Sequence, residues 1–148
     1  MFVWKGEKLL LIERAKFPAG FAVPAGHVDA DVSFENAARR ELREEVGLET
    51  EAADFELLLE KRADNPCRRE DGAWHLWKLY KVIVPSDTEF KRSLDETKRA
   101  GWYSPEEIVV LAAKTEAYRA GKIVEEDWTK SPGLEPVMYD WFKELHII

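Results

Sequence analysis

Hydrophobic residues fill both alternating positions at the start of this chain and then switch to a helical spacing. Met1 to Trp4 and Lys8 to Glu13 read as two strands joined at the turn-like break Lys5-Gly6-Glu7. Leu9-Leu10-Leu11-Ile12 is apolar on both faces, as in a strand covered from above and below. Phe17 to Gly20 reads as a loop and Phe21 to Pro24 as a short extended piece. After Ser33, a suitable N-cap, Phe34, Ala38, Leu42 and Val46 recur every fourth position, the core stripe of a helix that Gly47 would end. Glu41, Glu44 and Glu45 of that helix are expected opposite the stripe. Phe55 to Leu59 and Ala73 to Val84 read as longer strands separated by a charged loop, Lys61 to Gly72, and Gly101 to Tyr103 as another short strand. Ser104-Pro105-Glu106-Glu107 has the cap, proline and acids of a helix start, predicting a helix to about Arg119 that ends near Gly121. Pro132-Gly133 breaks the chain again before an amphipathic stretch from Glu135 to Leu145. Strands interleaved with helices predict a mixed α/β layered domain.

With 148 residues, 45% of them hydrophobic and 34% charged, the chain reads as one soluble domain able to bury a core without disulfides. A formal charge of −7 argues against a nucleic-acid-binding surface, but not against a nucleotide, whose phosphate charge a metal can neutralise. Cys67 is alone, so no intramolecular disulfide is expected, and a cytoplasmic location is the simplest expectation. No apolar run approaches membrane-spanning length, nothing resembles a signal peptide, and there is no internal repeat; no membrane partner is expected. A homodimer is left open.

The candidate chemistry lies in the first helix. Glu41, Glu44 and Glu45 are spaced i, i+3, i+4, so at about 100° per residue their carboxylates project from one side. Like charges so placed repel, and helix stability gives no reason for them. A hard divalent cation does, because Mg2+ takes a few carboxylates and fills its other positions with water and substrate phosphate.

The whole segment from Gly26 to Leu48 resembles the signature of the Nudix hydrolases, G-x5-E-x7-R-E-U-x-E-E-x-G-U with U a bulky aliphatic. Gly26, Arg40, Glu41, Leu42, Glu44, Glu45, Gly47 and Leu48 match it, and Val32 stands where the family has its first Glu. The resemblance implies an α/β/α sandwich with a mixed sheet, one domain over 1–148 with a C-terminal helical extension from about 105. It also implies Mg2+ or Mn2+ bound by Glu41, Glu44 and Glu45 with the main-chain carbonyl of Ala25. In the family Arg40 is chiefly structural, paired with the Glu absent here; Asp29, Asp31 or Glu35 is the expected substitute, because a buried unpaired guanidinium is costly. Glu96, before Trp102, falls in a region resembling the family's acidic loop and is the candidate general base, with Asp95 and Glu45 as alternatives.

Arg14 matches a position that in relatives is often basic and close to the substrate phosphates, and Arg68 and Arg69 are further candidates. Phe21, Trp74, Trp77 and Tyr80 are candidates for stacking on a base. Pro66 names no substrate, and His27 and His75 lack ligand-like spacing with Cys67 for a zinc site. The activity implied is metal-dependent cleavage of a pyrophosphate bond in a small-molecule nucleotide, a nucleoside diphosphate linked to another group. The alternatives are a hydrolase of free or oxidised nucleoside triphosphates, and a catalytically inactive domain of this fold that binds a nucleotide or a protein.

Overall fold

The structure, a computed structural model, describes residues 1–28, 33–51, 54–65 and 72–148. The expectations placed on Asp29, Asp31, Val32, Pro66, Cys67, Arg68 and Arg69 lie outside these residues. Strands β1 (Phe2–Lys5) and β2 (Lys8–Arg14) form the opening antiparallel hairpin, followed by the two-residue β3 (Phe21–Ala22). Helix α1 (Phe34–Val46) leads to β4 (Glu56–Ala63), β5 (His75–Ile83) and β6 (Thr97–Tyr103). Three helices complete the chain: α2 (Pro105–Arg119), α3 (Glu125–Lys130) and α4 (Pro136–Glu144).

The sheet is mixed. β1 runs parallel to β5, and the other pairings are antiparallel. Along β2, residues 9–14 pair with β6, while β1 and β3 pair with its two ends. The doubly apolar run Leu9 to Ile12 is 1% exposed or less, because each face of β2 meets a different layer. Val3, Leu10 and Ile12 pack with Ala38, Leu42 and Val46 of α1, whereas Phe2, Leu9 and Leu11 pack with Ile108 and Ala112 of α2 and Met138 and Phe142 of α4. The result is a helix/sheet/helix sandwich. Among the described residues no helix is long and apolar enough to cross a membrane.

Local signals govern the helix ends. Asn36 N–H donates to Ser33 Oγ, and Gly47 takes φ +64°, a left-handed turn that suits glycine. Ser104 and Glu107 form a reciprocal capping box at the start of α2. Three expectations change. β4 runs on through Lys61 to Ala63, inside the stretch read as loop, because Lys61 and Arg62 pair with Trp77 and Leu76 on β5 and keep their charges at the surface. β6 starts at Thr97 rather than Gly101, its polar first residues taken up by the edge of β2. α3 was not expected; it is six residues long and buries only Trp128, which stacks on Tyr118 at 4.2 Å.

Leu42 is wholly buried and anchors α1 to the sheet. Leu42→Ala is expected to lower the unfolding free energy by about 2–5 kcal/mol, measured by urea denaturation. A loss below about 1 kcal/mol would mean that α1 is not fixed through this contact.

Candidate active site

The signature carboxylates differ sharply in environment. Glu45 is not on a solvent face: it is 7% exposed, and its Oε2 accepts a hydrogen bond from Ala25 N–H at 3.0 Å. Position 45 lies about 20° from Ala38 and about 60° from Leu42, so it falls within the core stripe rather than opposite it. Burial, then the Glu41 charge, pushes the Glu45 pKa up to about 8, while the Ala25 amide and Arg14 pull it down. Burial also raises the Glu41 pKa; Arg40 opposes this, and Glu44 and Glu96 add to it. Glu44 is half exposed.

Gly26 matters by what it lacks. A Cβ there would lie 1.9 Å from the Glu41 carboxyl carbon, so the missing side chain is the space that Glu41 occupies. Arg40 Nη1 lies 2.8 Å from Glu41 Oε1 and 3.0 Å from Glu44 Oε2, and Nη2 donates to the His27 carbonyl at 2.9 Å. Among the described carboxylates it is therefore these two that pair with Arg40. Glu35, considered for that role, accepts a hydrogen bond from Tyr80 OH at 2.7 Å instead.

The fit to a divalent cation can be judged from these contacts. Among the described residues no three acidic, histidine or cysteine side chains converge as a ligand set. Glu41 and Glu44 do converge, on the positive Arg40 Nη1, while Glu45 is turned to Ala25. Two hard oxygen donors suit Mg2+ or Mn2+, which normally add water and phosphate to one or two carboxylates, once the Arg40 guanidinium that bridges them gives way. Ala25 reaches the cluster through its amide, which donates to Glu45.

Glu96 is brought to the same cluster. Ser93 N–H donates to the Glu45 carbonyl at 2.8 Å, Glu96 N–H donates to Ser93 Oγ, and the Glu96 carbonyl accepts from Ala15 N–H. These bonds fasten the loop before β6 to the end of α1. Lys16 Nζ holds the partly exposed Glu96 carboxylate at 2.6 Å, and the Glu96 charge reaches Glu41. Arg14, at the end of β2, is close enough for its charge to lower the Glu45 pKa. Asp95 is exposed beside Glu96.

The aromatic candidates scatter. Phe21 is 3% exposed, edge-on to Tyr103 and covered by Arg99, so it is a core ring with no open face for a base. Tyr80 is 4% exposed in the layer under α1, and Trp74 is half exposed beneath Arg62. Trp77 is half buried, with His75 and Trp141 rings at 5.7 and 6.0 Å. His27 lies 5.4 Å from His75, which extends this aromatic row to the signature segment. Sequence reasoning missed Glu13, buried and ion-paired to Arg99, and Glu135, buried beside Arg14. Only a buried position late in an apolar strand hinted at Glu13, and nothing local hinted at Glu135.

The family model for the NUDIX domain matches residues 1–126. The mitochondrial NAD(P)H pyrophosphatase NUDT13 of Homo sapiens is 30% identical over 114 residues, covering 76% of this chain and 30% of that protein. This chain thus spans about a third of the length of the curated relatives it matches. Among solved structures, Deinococcus radiodurans DR0079 superposes with TM-score 0.66 at 18% identity, covering 98% of this chain and 79% of the other. A Francisella tularensis bifunctional NMN adenylyltransferase/ADP ribose pyrophosphatase, complexed with AMP and a Mn ion, gives TM-score 0.62 at 17% identity, covering 98% and 39%. These two likenesses speak for the fold. The match over 1–126, with the Gly26 to Leu48 signature at its centre, carries the conclusion that this chain belongs to the Nudix hydrolase family.

Proposed function

We propose that this chain is a divalent-metal-dependent pyrophosphohydrolase acting on a nucleoside diphosphate joined to another group. The observation that carries the reading is the pair of Glu41, set in the space that Gly26 leaves, and Glu44, both on Arg40, with Glu45 held at Ala25 on the same helix. The names of the human relative and of the Francisella protein support the substrate class, since NAD(P)H and ADP-ribose both contain such a diphosphate.

Glu41 and Glu44 are the residues to hold the cation, with Arg40 yielding its bridging position. When bound, Mg2+ or Mn2+ would neutralise charge on the bridging phosphates and acidify an attacking water. Glu96, partly exposed and kept in place by Lys16, is the side chain best situated to take a proton from that water. Arg14 supplies a guanidinium fork for a phosphate oxygen.

A turnover screen with Mg2+ or Mn2+ across NADH, ADP-ribose, dinucleoside polyphosphates and nucleoside triphosphates tests the reading. Cleavage of the first two, abolished by EDTA and lowered at least about 10²-fold in Glu44→Gln, is expected. Preference for triphosphates would select the first alternative; binding without turnover of any compound would select the second.

Gly26→Ala is expected to fold, because the atom its Cβ meets is the free end of the Glu41 side chain rather than backbone. Displacing that carboxylate should cost at least about tenfold in turnover while the melting temperature changes little. Parallel melting curves and rates check this, and unchanged turnover would remove Glu41 from the site.

The raised Glu45 pKa fixes the sign of a pH effect on the metal-free protein. Between the ordinary carboxylate value of 4.5 and about 8, the native state holds a proton that the unfolded chain has lost. Stability should therefore fall as pH rises through that window, measured by thermal melts in EDTA. Glu45→Gln should flatten this dependence; an equally steep slope in the variant would assign it to another group.

A further inference from the structure

The chain beyond the family match returns to the site. Phe21 N–H donates to the Gly133 carbonyl and Glu135 N–H donates to the Phe21 carbonyl, each at 2.8 Å, so residues 133–135 lie parallel to β3. Thr115 Oγ1 grips this piece from α2 by donating to the Leu134 carbonyl at 2.8 Å. Its approach depends on two glycines. A Cβ on Gly20 would stand 2.5 Å from Glu135 Cα, and one on Gly133 would stand 2.3 Å from the Leu111 carbonyl oxygen. Such close docking delivers the Glu135 carboxylate into the protein beside Arg14, which leaves β2 next to Gly20.

The contact between the two charges is unusual in detail. Arg14 Nη1 and Glu135 Oε2 are 3.8 Å apart, with the glutamate side chain 7% exposed and the arginine 21%. Neither Arg14 Nε nor Glu135 Oε2 has a hydrogen-bond partner among the described residues, though both atoms are buried. The carboxylate thus attracts the guanidinium from the interior without consuming its N–H donors. Arg14 is also close enough to Glu45 to affect its charge. A guanidinium tethered from behind, on a side chain that is still 21% exposed although its Nε is buried, is complementary to an anionic oxygen arriving at the signature carboxylates.

We propose that Glu135, carried in by the docked 133–135 segment, is a positioning residue that holds Arg14 in place for a phosphate of the substrate. The proposal rests on the pyrophosphohydrolase reading of the site, and it makes the stretch after residue 126 part of that site. Burial raises the Glu135 pKa and Arg14 lowers it, in keeping with a carboxylate whose main charged neighbour is this guanidinium.

The test is a double-mutant cycle on the binding of α,β-methylene-ADP, a non-hydrolysable diphosphate, by calorimetry with Mg2+. Glu135→Gln is expected to weaken binding about five- to tenfold, the scale of one ion pair. In an Arg14→Ala background the same change should have no further effect. Equal losses in both backgrounds, or no loss in the first, would overturn the proposal. If Glu135→Gln does not fold, Glu135→Asp takes its place. Asp is favoured at the N-cap that position 135 forms, yet it withdraws the carboxylate by one methylene, so a smaller loss, again absent without Arg14, is expected. Tight binding that Arg14→Ala leaves unchanged would instead overturn the assignment of Arg14 itself, whereas failure of the unmodified protein to bind the probe would overturn the pyrophosphohydrolase reading on which the proposal rests.

Discussion

The site is organised around a carboxylate kept where a carboxylate is expensive. Glu45 is almost fully buried, receives one backbone N–H, and lies near another acid. Its side chain ties α1 to the segment leaving β3, and its carbonyl ties α1 to the loop that carries Glu96. Removing a charged group from water is tolerable only with compensation. Here part of the compensation is a retained proton, and the Ala25 amide and Arg14 supply more. An arrangement that leaves negative charge under-compensated is poor for stability and good for attracting a cation. The Arg40 guanidinium across Glu41 and Glu44 eases the same strain nearby.

Backbone proximity sets the geometry around that carboxylate. Gly26 admits Glu41, Gly20 admits Glu135, and Gly133 admits α2, each at a distance no Cβ would allow. Three glycines on different stretches therefore bring the signature helix, the end of β2 and the C-terminal segment to one place. Strand β3 is only two residues long, yet it is hydrogen-bonded to β2 on one side and to the 133–135 piece on the other. It joins the family core to the C-terminal segment.

The range of each interaction decides whether the sequence disclosed it or hid it. α1 was legible with its cap, stripe and stop, because Ser33, the four-residue apolar spacing and Gly47 act within the helix. The start of α2 was legible for the same reason. The family pattern picked out Glu41, Glu44 and Glu45 together, and a helical wheel sets Glu45 about 20° from Ala38, among the core residues, but the amide that receives its carboxylate belongs to Ala25, outside the helix. The early start of β6 was hidden because Lys98 and Arg99 have no strand pattern of their own and are ordered by β2. Phe21 was read as a base-stacking ring, but aromatic character is the same in a core and in a binding face. Glu135 was invisible because its partner is at the other end of the chain.

Arg14 shows why such a long-range contact matters to the chemistry. An arginine at the mouth of an acidic site would be drawn to the nearest carboxylates, and Glu45 is one of them. Were it to close on Glu45 by a two-pronged hydrogen bond, the pair would neutralise each other and leave less for a cation or a phosphate. A second carboxylate behind it, close enough to attract but too far to hydrogen-bond, divides that pull. Arg14 is then shared electrostatically by the two acids, while Glu45 keeps a pKa raised by burial and by Glu41 rather than lowered by a tight partner. The charge balance of the signature helix therefore depends on a residue that the signature does not contain.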